Sequence, residues 1–159
     1  MDLERCSFCG ECELVCSLYN DGEATPLKSR IRIIKWEGLG VSVPMVCRQC
    51  VNALCAQVCP VNAIVEDPEH GCLKVKDEVC IGCSYCAIAC PFGAIRVSLE
   101  RKAAIKCNLC DGNAYCTRFC PRDAIELLPV DEANVKKAVA AAHKLQDLLS
   151  KFTYPSAKG

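Results

Sequence analysis

The chain has 159 residues, nineteen basic and nineteen acidic side chains, and seventeen cysteines, more than a tenth of all positions. That length allows one domain or two very small ones, and the even charge argues against a nucleic-acid partner, which would need clustered positive charge. No apolar run approaches the ~20 residues of a membrane-spanning helix, and MDLERCSFCG has no apolar leader region before its first cysteine. The odd cysteine count, packed in close runs, opposes a disulfide scaffold. A reduced, cytoplasmic chain is expected.

The first run is Cys6, Cys9, Cys12 and Cys16, with Ser17 next. A loop is expected over SLYNDGEATPL, where Asn20, Asp21, Gly22 and Pro26 interrupt regular structure. IRIIKWEGLGVSVPMV reads as strands Ile31–Trp36 and Val41–Val43 about a Glu37–Gly40 turn, with Trp36 packed on the body. Cys47, Cys50, Cys55 and Cys59 form the second run, with four residues in its middle gap and Pro60 after it.

AIVEDPEHGCLKV follows as strand, turn and strand, with His70 in the turn facing solvent. Cys72 belongs to no run. By strand alternation it shares a face with Lys74, and it reads as a small, partly buried residue with no iron to bind. The third run, Cys80, Cys83, Cys86 and Cys90, repeats the spacing of the first and ends in Pro91. That proline should stop the short helix expected to carry Cys86 and Cys90.

AIRVSLERKAAIK is a strand and turn leading to the fourth run. Cys107, Cys110, Cys116 and Cys120 have five residues in the middle gap and Pro121 after them. Arg48, Lys106, Arg118 and Arg122 stand beside these cysteines and read as surface charge. Past Pro129 the composition changes. Asp131 suits a helix cap, and Val135, Val139, Ala142, Leu149 and Phe152 fall on one helical stripe. An amphipathic helix over about 132–152 is expected, packed on its own domain or docked on another subunit.

Three runs continue alike, CPVNAI from Cys59, CPFGAI from Cys90 and CPRDAI from Cys120, which marks an internal repeat. The spacing in CIGCSYCAIACP lets three thiolates in a tight loop cap a [4Fe–4S] cube while the fourth cysteine reaches a neighbouring cube. Four runs give ligands for four such clusters. Zinc is the rival metal, but structural zinc sites take two CxxC pairs each, which three-cysteine loops ending in CP fit poorly. Iron binding would then supply much of the folding free energy. Roughly −2 per oxidised cube would carry the formal charge from zero to about −8.

Four motifs in this order, the second and fourth with widened gaps, resemble the four-cluster ferredoxin-like electron-transfer subunits of multi-subunit oxidoreductases. The compact size and the SRIRI…VPMVCRQC segment look most like the small iron–sulfur subunit of tungsten aldehyde oxidoreductases. The ferredoxin-like subunit of carbon monoxide dehydrogenase comes next. The resemblance covers about residues 1–128. It implies an α+β, tandem bacterial-ferredoxin-like fold there, with residues 129–159 as a C-terminal helix and tail.

It also implies a pairing, motifs one and four in one half and motifs two and three in the other. Cys6, Cys9 and Cys12 would share a cluster with Cys120, and Cys107, Cys110 and Cys116 with Cys16. Likewise Cys47, Cys50 and Cys55 would join Cys90, and Cys80, Cys83 and Cys86 would join Cys59. Ser17, where the other runs have proline, departs from the pattern and leaves the shielding of its cluster open.

The implied function is an electron wire without a catalytic site of its own. The chain shows no nucleophile–base pair, no GxGxxG loop and no pterin-binding candidate. Implied partners are a larger subunit with a tungsten or molybdenum pterin that oxidises aldehydes, and a flavin subunit or soluble ferredoxin. Further copies of the chain could follow head to tail. A free-standing polyferredoxin is the alternative, as is service to a carbon monoxide dehydrogenase, hydrogenase or formate dehydrogenase.

Overall fold

The structure, a computed structural model, describes residues 1–36, 38, 41–129, 139–144, 146 and 147. The chain divides into two compact units, Met1–Glu126 and Leu127–Gly159. In the second, residues 139–144, 146 and 147 are helical and exposed. The rest of the helix expected over 132–152 lies outside the described residues, as does most of the Glu37–Gly40 turn.

The first unit is a small α+β body. Its order is α1 (Glu11–Asp21), a 3-10 turn (Pro26–Lys28), β1 (Arg32–Trp36), β2 (Val41–Met45), α2 (Leu54–Gln57), β3 (Ile64–Asp67) and β4 (Cys72–Val75). Then come α3 (Tyr85–Ala89), β5 (Arg96–Ser98), β6 (Ala103–Ile105) and α4 (Tyr115–Arg118). Among the described residues the strands form three separate antiparallel hairpins, β1–β2, β3–β4 and β5–β6. None is long enough to stand alone in water, so each depends on what it packs against.

The repeat explains how the chain leaves the last three runs, entering a hairpin after the second and third. In CPVNAI, CPFGAI and CPRDAI the fourth position is Asn62, Gly93 and Asp123, all left-handed, with φ of +50°, +55° and +47°. Asparagine, glycine and aspartate are the residues that tolerate this region best. The N–H of each donates to the carbonyl of its cysteine, Cys59, Cys90 or Cys120. The chain then turns inward, and the next two residues are buried. Ala63 and Ala124 are 1% exposed, and Ile64, Ile95 and Ile125 are 5–6% exposed. Each isoleucine so buried contributes about 1.5–3 kcal/mol.

These side chains seed two small cores that the cysteines complete. One holds Ala53, Cys55, Ile64, Cys86, Ile95 and Ala104. The other holds Cys12, Cys16, Ile31 and Ile125.

Several expectations change. SLYND is helix rather than loop, because α1 runs on past Cys16 to Asp21. Ser17 has the backbone N–H that proline lacks, so nothing stops the helix there. β2 extends to Met45, with Pro44 opposite Ile33; a two-stranded ribbon has an outer edge on which proline is tolerated. Trp36 is 46% exposed rather than packed on the body. The stretch after Ile95 is a full hairpin rather than one strand, with Arg96 opposite Ile105.

Candidate iron–sulfur sites

All four cysteine loops share one backbone device. The residue before each second cysteine is left-handed: Phe8 at φ +56°, Gln49 at +44°, Gly82 at +65° and Leu109 at +55°. Such turns point successive N–H groups into a concavity that favours anions. Gly82 is also sterically required, since a Cβ there would lie 2.8 Å from the Lys102 carbonyl oxygen. Each third cysteine, Cys12, Cys55, Cys86 or Cys116, is the second residue of a helix.

The fourth cysteine of each run ends near another run's loop. Cys47, Cys50, Cys55 and Cys90 line one cavity with Phe92, Ile95 and Lys106. Cys59, Cys80, Cys83 and Cys86 line another with Ile64, Val97 and Ala104. Burial pushes the Cys12 thiol up to about 12, helped by charge at Glu13, Cys9, Cys6 and Cys120. Burial likewise raises Cys116 to about 12, followed by charge at Cys107, Cys110, Cys16 and Cys12. In two cavities a cysteine of one run thus stands with the three loop cysteines of another, Cys90 with the second run and Cys59 with the third. Metal binding at Cys12 or Cys116 must displace a proton that burial holds firmly.

Backbone amides reach the sulfurs. Ala63 N–H donates to Cys59 Sγ at 3.2 Å and Ala124 N–H to Cys120 Sγ at 3.3 Å, each from the turn just described. Ala104 N–H reaches Cys80 Sγ at 3.4 Å from β6. Cys16 receives its amide from Arg30, at 3.3 Å and fourteen residues on. Asn20, one turn further along α1, sets its side-chain amide 3.9 Å from both Cys16 Sγ and Cys110 Sγ. The expected loop over SLYND hid Asn20; recognising a helix would have placed it at i+4 from Cys16.

The other singled-out residues divide. Arg48, Arg118 and Arg122 are exposed, Arg48 over the Phe92 ring and Arg118 over Tyr115. Lys106 is not surface charge: it is 4% exposed. Burial raises Cys55, and the Lys106 charge is the main influence opposing it. Burial also takes Cys107 to about 12, against the Leu109 N–H and the same lysine.

Cys72 is 5% exposed, more buried than its strand pattern suggested. Its thiol donates to the Asn108 carbonyl at 3.3 Å, tying β4 to the fourth loop. His70 does not simply face solvent. Its Nδ1 lies 2.9 Å from Asp67, whose carboxylate also takes Lys74 Nζ at 2.7 Å. Lys74 first and His70 second hold the Asp67 carboxyl down to about 2.

Short helices, small hairpins and grouped cysteines define a ferredoxin-like iron–sulfur protein. Residues 40–130 match the 4Fe-4S dicluster domain, more than half of the chain, and the chain belongs to that family. It is 38% identical over 154 residues to an uncharacterized ferredoxin of Methanocaldococcus jannaschii, covering 97% of this chain and 83% of that one. The polyferredoxin-like subunit of the aliphatic sulfonate oxidoreductase of Pyrococcus furiosus is 36% identical over 105 residues, 66% of this chain and 60% of its own length. The electron transport protein HydN of Escherichia coli is 41% identical over 103 residues, 60% and 57% of the two chains. The matches thus span less than two thirds of the last two relatives. No described helix is long and apolar enough to cross a membrane.

Proposed function

We propose that the chain holds four [4Fe–4S] clusters and serves as the electron-transfer subunit of an oxidoreductase, without a catalytic site of its own. The observation that carries this reading is that a cysteine from another run lies against each three-cysteine loop, in two cases lining one cavity with it. The proposed sets are Cys6, Cys9, Cys12 and Cys120; Cys16, Cys107, Cys110 and Cys116; Cys47, Cys50, Cys55 and Cys90; and Cys59, Cys80, Cys83 and Cys86. Sixteen soft thiolate donors in fours are the donor chemistry of iron cubes.

A tandem body over 1–128 follows, with motifs one and four in one half and two and three in the other. The packing of α1 on α4 and of α2 on α3 supports that division. A [4Fe–4S] cluster supplies reversible one-electron transfer. The chain's own part is to hold the sulfurs, aim N–H groups at them and keep water away, which are the ways a protein tunes potential.

The proposed partner is a larger catalytic subunit carrying a tungsten or molybdenum pterin that oxidises an aldehyde. A flavin subunit or soluble ferredoxin would take the electrons. The Pyrococcus relative, by its name a subunit of an oxidoreductase, supports a stable complex rather than a diffusing carrier. Anaerobic purification from the native source tests both parts. Sixteen iron and sixteen sulfide per chain, no zinc and a co-purifying pterin enzyme are expected, at four iron per site. Eight iron or fewer, or zinc, overturns the four-cluster reading. A fully loaded chain purifying alone overturns the subunit reading in favour of a free polyferredoxin.

A further inference from the structure

Lys106 follows β6 directly and precedes Cys107. Its ammonium donates to Gln49 Oε1 at 2.9 Å, to the Leu73 carbonyl at 2.7 Å and to the Cys107 carbonyl at 3.1 Å. An ammonium has three donors, so all are used, and every acceptor is neutral. Among the described residues no carboxylate pairs with it. The contrast is Arg30, also largely buried, which meets the Asp21 carboxylate at 2.8 Å.

A buried charge held only by neutral dipoles is unfavourable, because they do not offset its lost hydration. The missing negative charge has two sources close by. On one side Lys106 lines the cavity of Cys47, Cys50, Cys55 and Cys90. On the other it adjoins Cys107, of the group with Cys16, Cys110 and Cys116.

Gln49 fixes the ammonium between them. It lies in the second loop, accepts from Leu73 N–H at 3.1 Å, and donates to the Cys107 carbonyl at 2.8 Å. One buried node thus ties the second run, β4 and the fourth run together.

We propose that Lys106 is the shared counter-charge of these two sites and raises the reduction potential of both. The proposal rests on the four-cluster reading. An electron added at either site increases its negative charge, and a fixed cation in a poorly polarisable interior favours that state. The junction between the halves would then be the part of the chain most easily reduced.

The test is a redox titration of the anaerobic, full-length protein, with dithionite as reductant, followed by electron paramagnetic resonance and iron analysis. Lys106→Met, with iron retained, is expected to lower two of the four reduction steps and leave two in place. The expected shift is at least tenfold against reduction, about 59 mV for one electron. Gln49→Glu sets a carboxylate against the ammonium and should lower the same two steps. Lys28→Met removes a lysine already paired with Glu23 at 2.9 Å and should move none.

Four unmoved steps in loaded Lys106→Met, or four equal shifts, overturn the proposal. Should Lys106→Met lose iron, Gln49→Glu decides alone, and unmoved steps there overturn it. Eight iron or fewer in the unsubstituted protein overturns the four-cluster reading itself, and this inference with it.

Discussion

The first cysteine run and the other three build the same loop but leave it differently. The short helices end at Gln57, Ala89 and Arg118, ahead of Cys59, Cys90 and Cys120. A proline follows each of these cysteines, and a left-handed residue then swings the chain into the core. After Cys16 there is Ser17, and the helix continues to Asp21. Ser17 is fully buried. Its hydroxyl lies 3.1 and 3.0 Å from the Glu13 and Leu14 carbonyls and accepts from Thr25 N–H at 2.9 Å. The extra turn carries Tyr19 to Asp111 at 3.1 Å and Asp21 to Arg30 and Arg101. Where the turns after Cys59 and Cys120 serve their sulfurs by local backbone amides, the first run uses Arg30 and Asn20. One requirement, a donor facing sulfur, is met four residues on by a backbone amide in one case, and in the other by a side-chain amide four residues on together with a backbone amide fourteen residues on.

The largest expected effect breaks the link between the first and fourth runs. Cys120→Ser should remove about four of sixteen iron atoms, at four per site, and disturb the spectrum of the site on Cys6, Cys9 and Cys12. Unchanged iron would separate the two runs. Ser17→Pro imposes the ending of the other runs on the first. An interior proline costs about 3 kcal/mol or more, so chemical denaturation should show at least that loss; a smaller one would mean that α1 tolerates the shorter form. Ser17→Ala keeps the helix but strands the Thr25 N–H, for about 1–3 kcal/mol, read from the same denaturation curve.

The β3–β4 hairpin beyond the second run carries a pH signature of its own. The Asp67 carboxyl, lowered to about 2, stabilises at ordinary pH, and that contribution is lost as pH falls through this value. His70 is raised, chiefly by its hydrogen bond to Asp67. Its contribution is complete below the ordinary value of about 6.5 and fades as pH rises through the raised one. Hydrogen exchange corrected for intrinsic rate should show the hairpin, and not α1, loosening as pH rises past the ordinary histidine value of about 6.5. Equal loosening in both would refute the local account. The smallest effect is expected from Cys72→Ser, since a hydroxyl can still donate to Asn108. Iron content and spectra should not change, and a lost site would give Cys72 a ligand's role.

The local devices were legible in the chain. Proline after three fourth-cysteines and Asn, Gly or Asp three residues later are residue types with one backbone meaning each, so turns and hairpins could be placed. The run boundaries were written in spacing, whereas the run expected to supply each fourth cysteine came from the family resemblance alone. What escaped depends on distance. Asn20 was hidden by the turn-forming look of Asn20-Asp21-Gly22, which tertiary packing on α4 overrides. Lys106 beside Cys107 looks like any flanking cation until Gln49, from 57 positions earlier, is seen to bury it. Cys72 alternates correctly, yet its depth comes from the fourth loop covering β4.

The nearness of Cys120 to Cys12 also sets a clock. Translation brings the first run's thiols out of the ribosome about 100 residues ahead of their companion, or ~5–20 s at ordinary synthesis rates. For that interval Cys6, Cys9 and Cys12 stand without the burial that shields Cys12 in the finished fold. A nascent chain in this condition is open to oxygen and to stray metals.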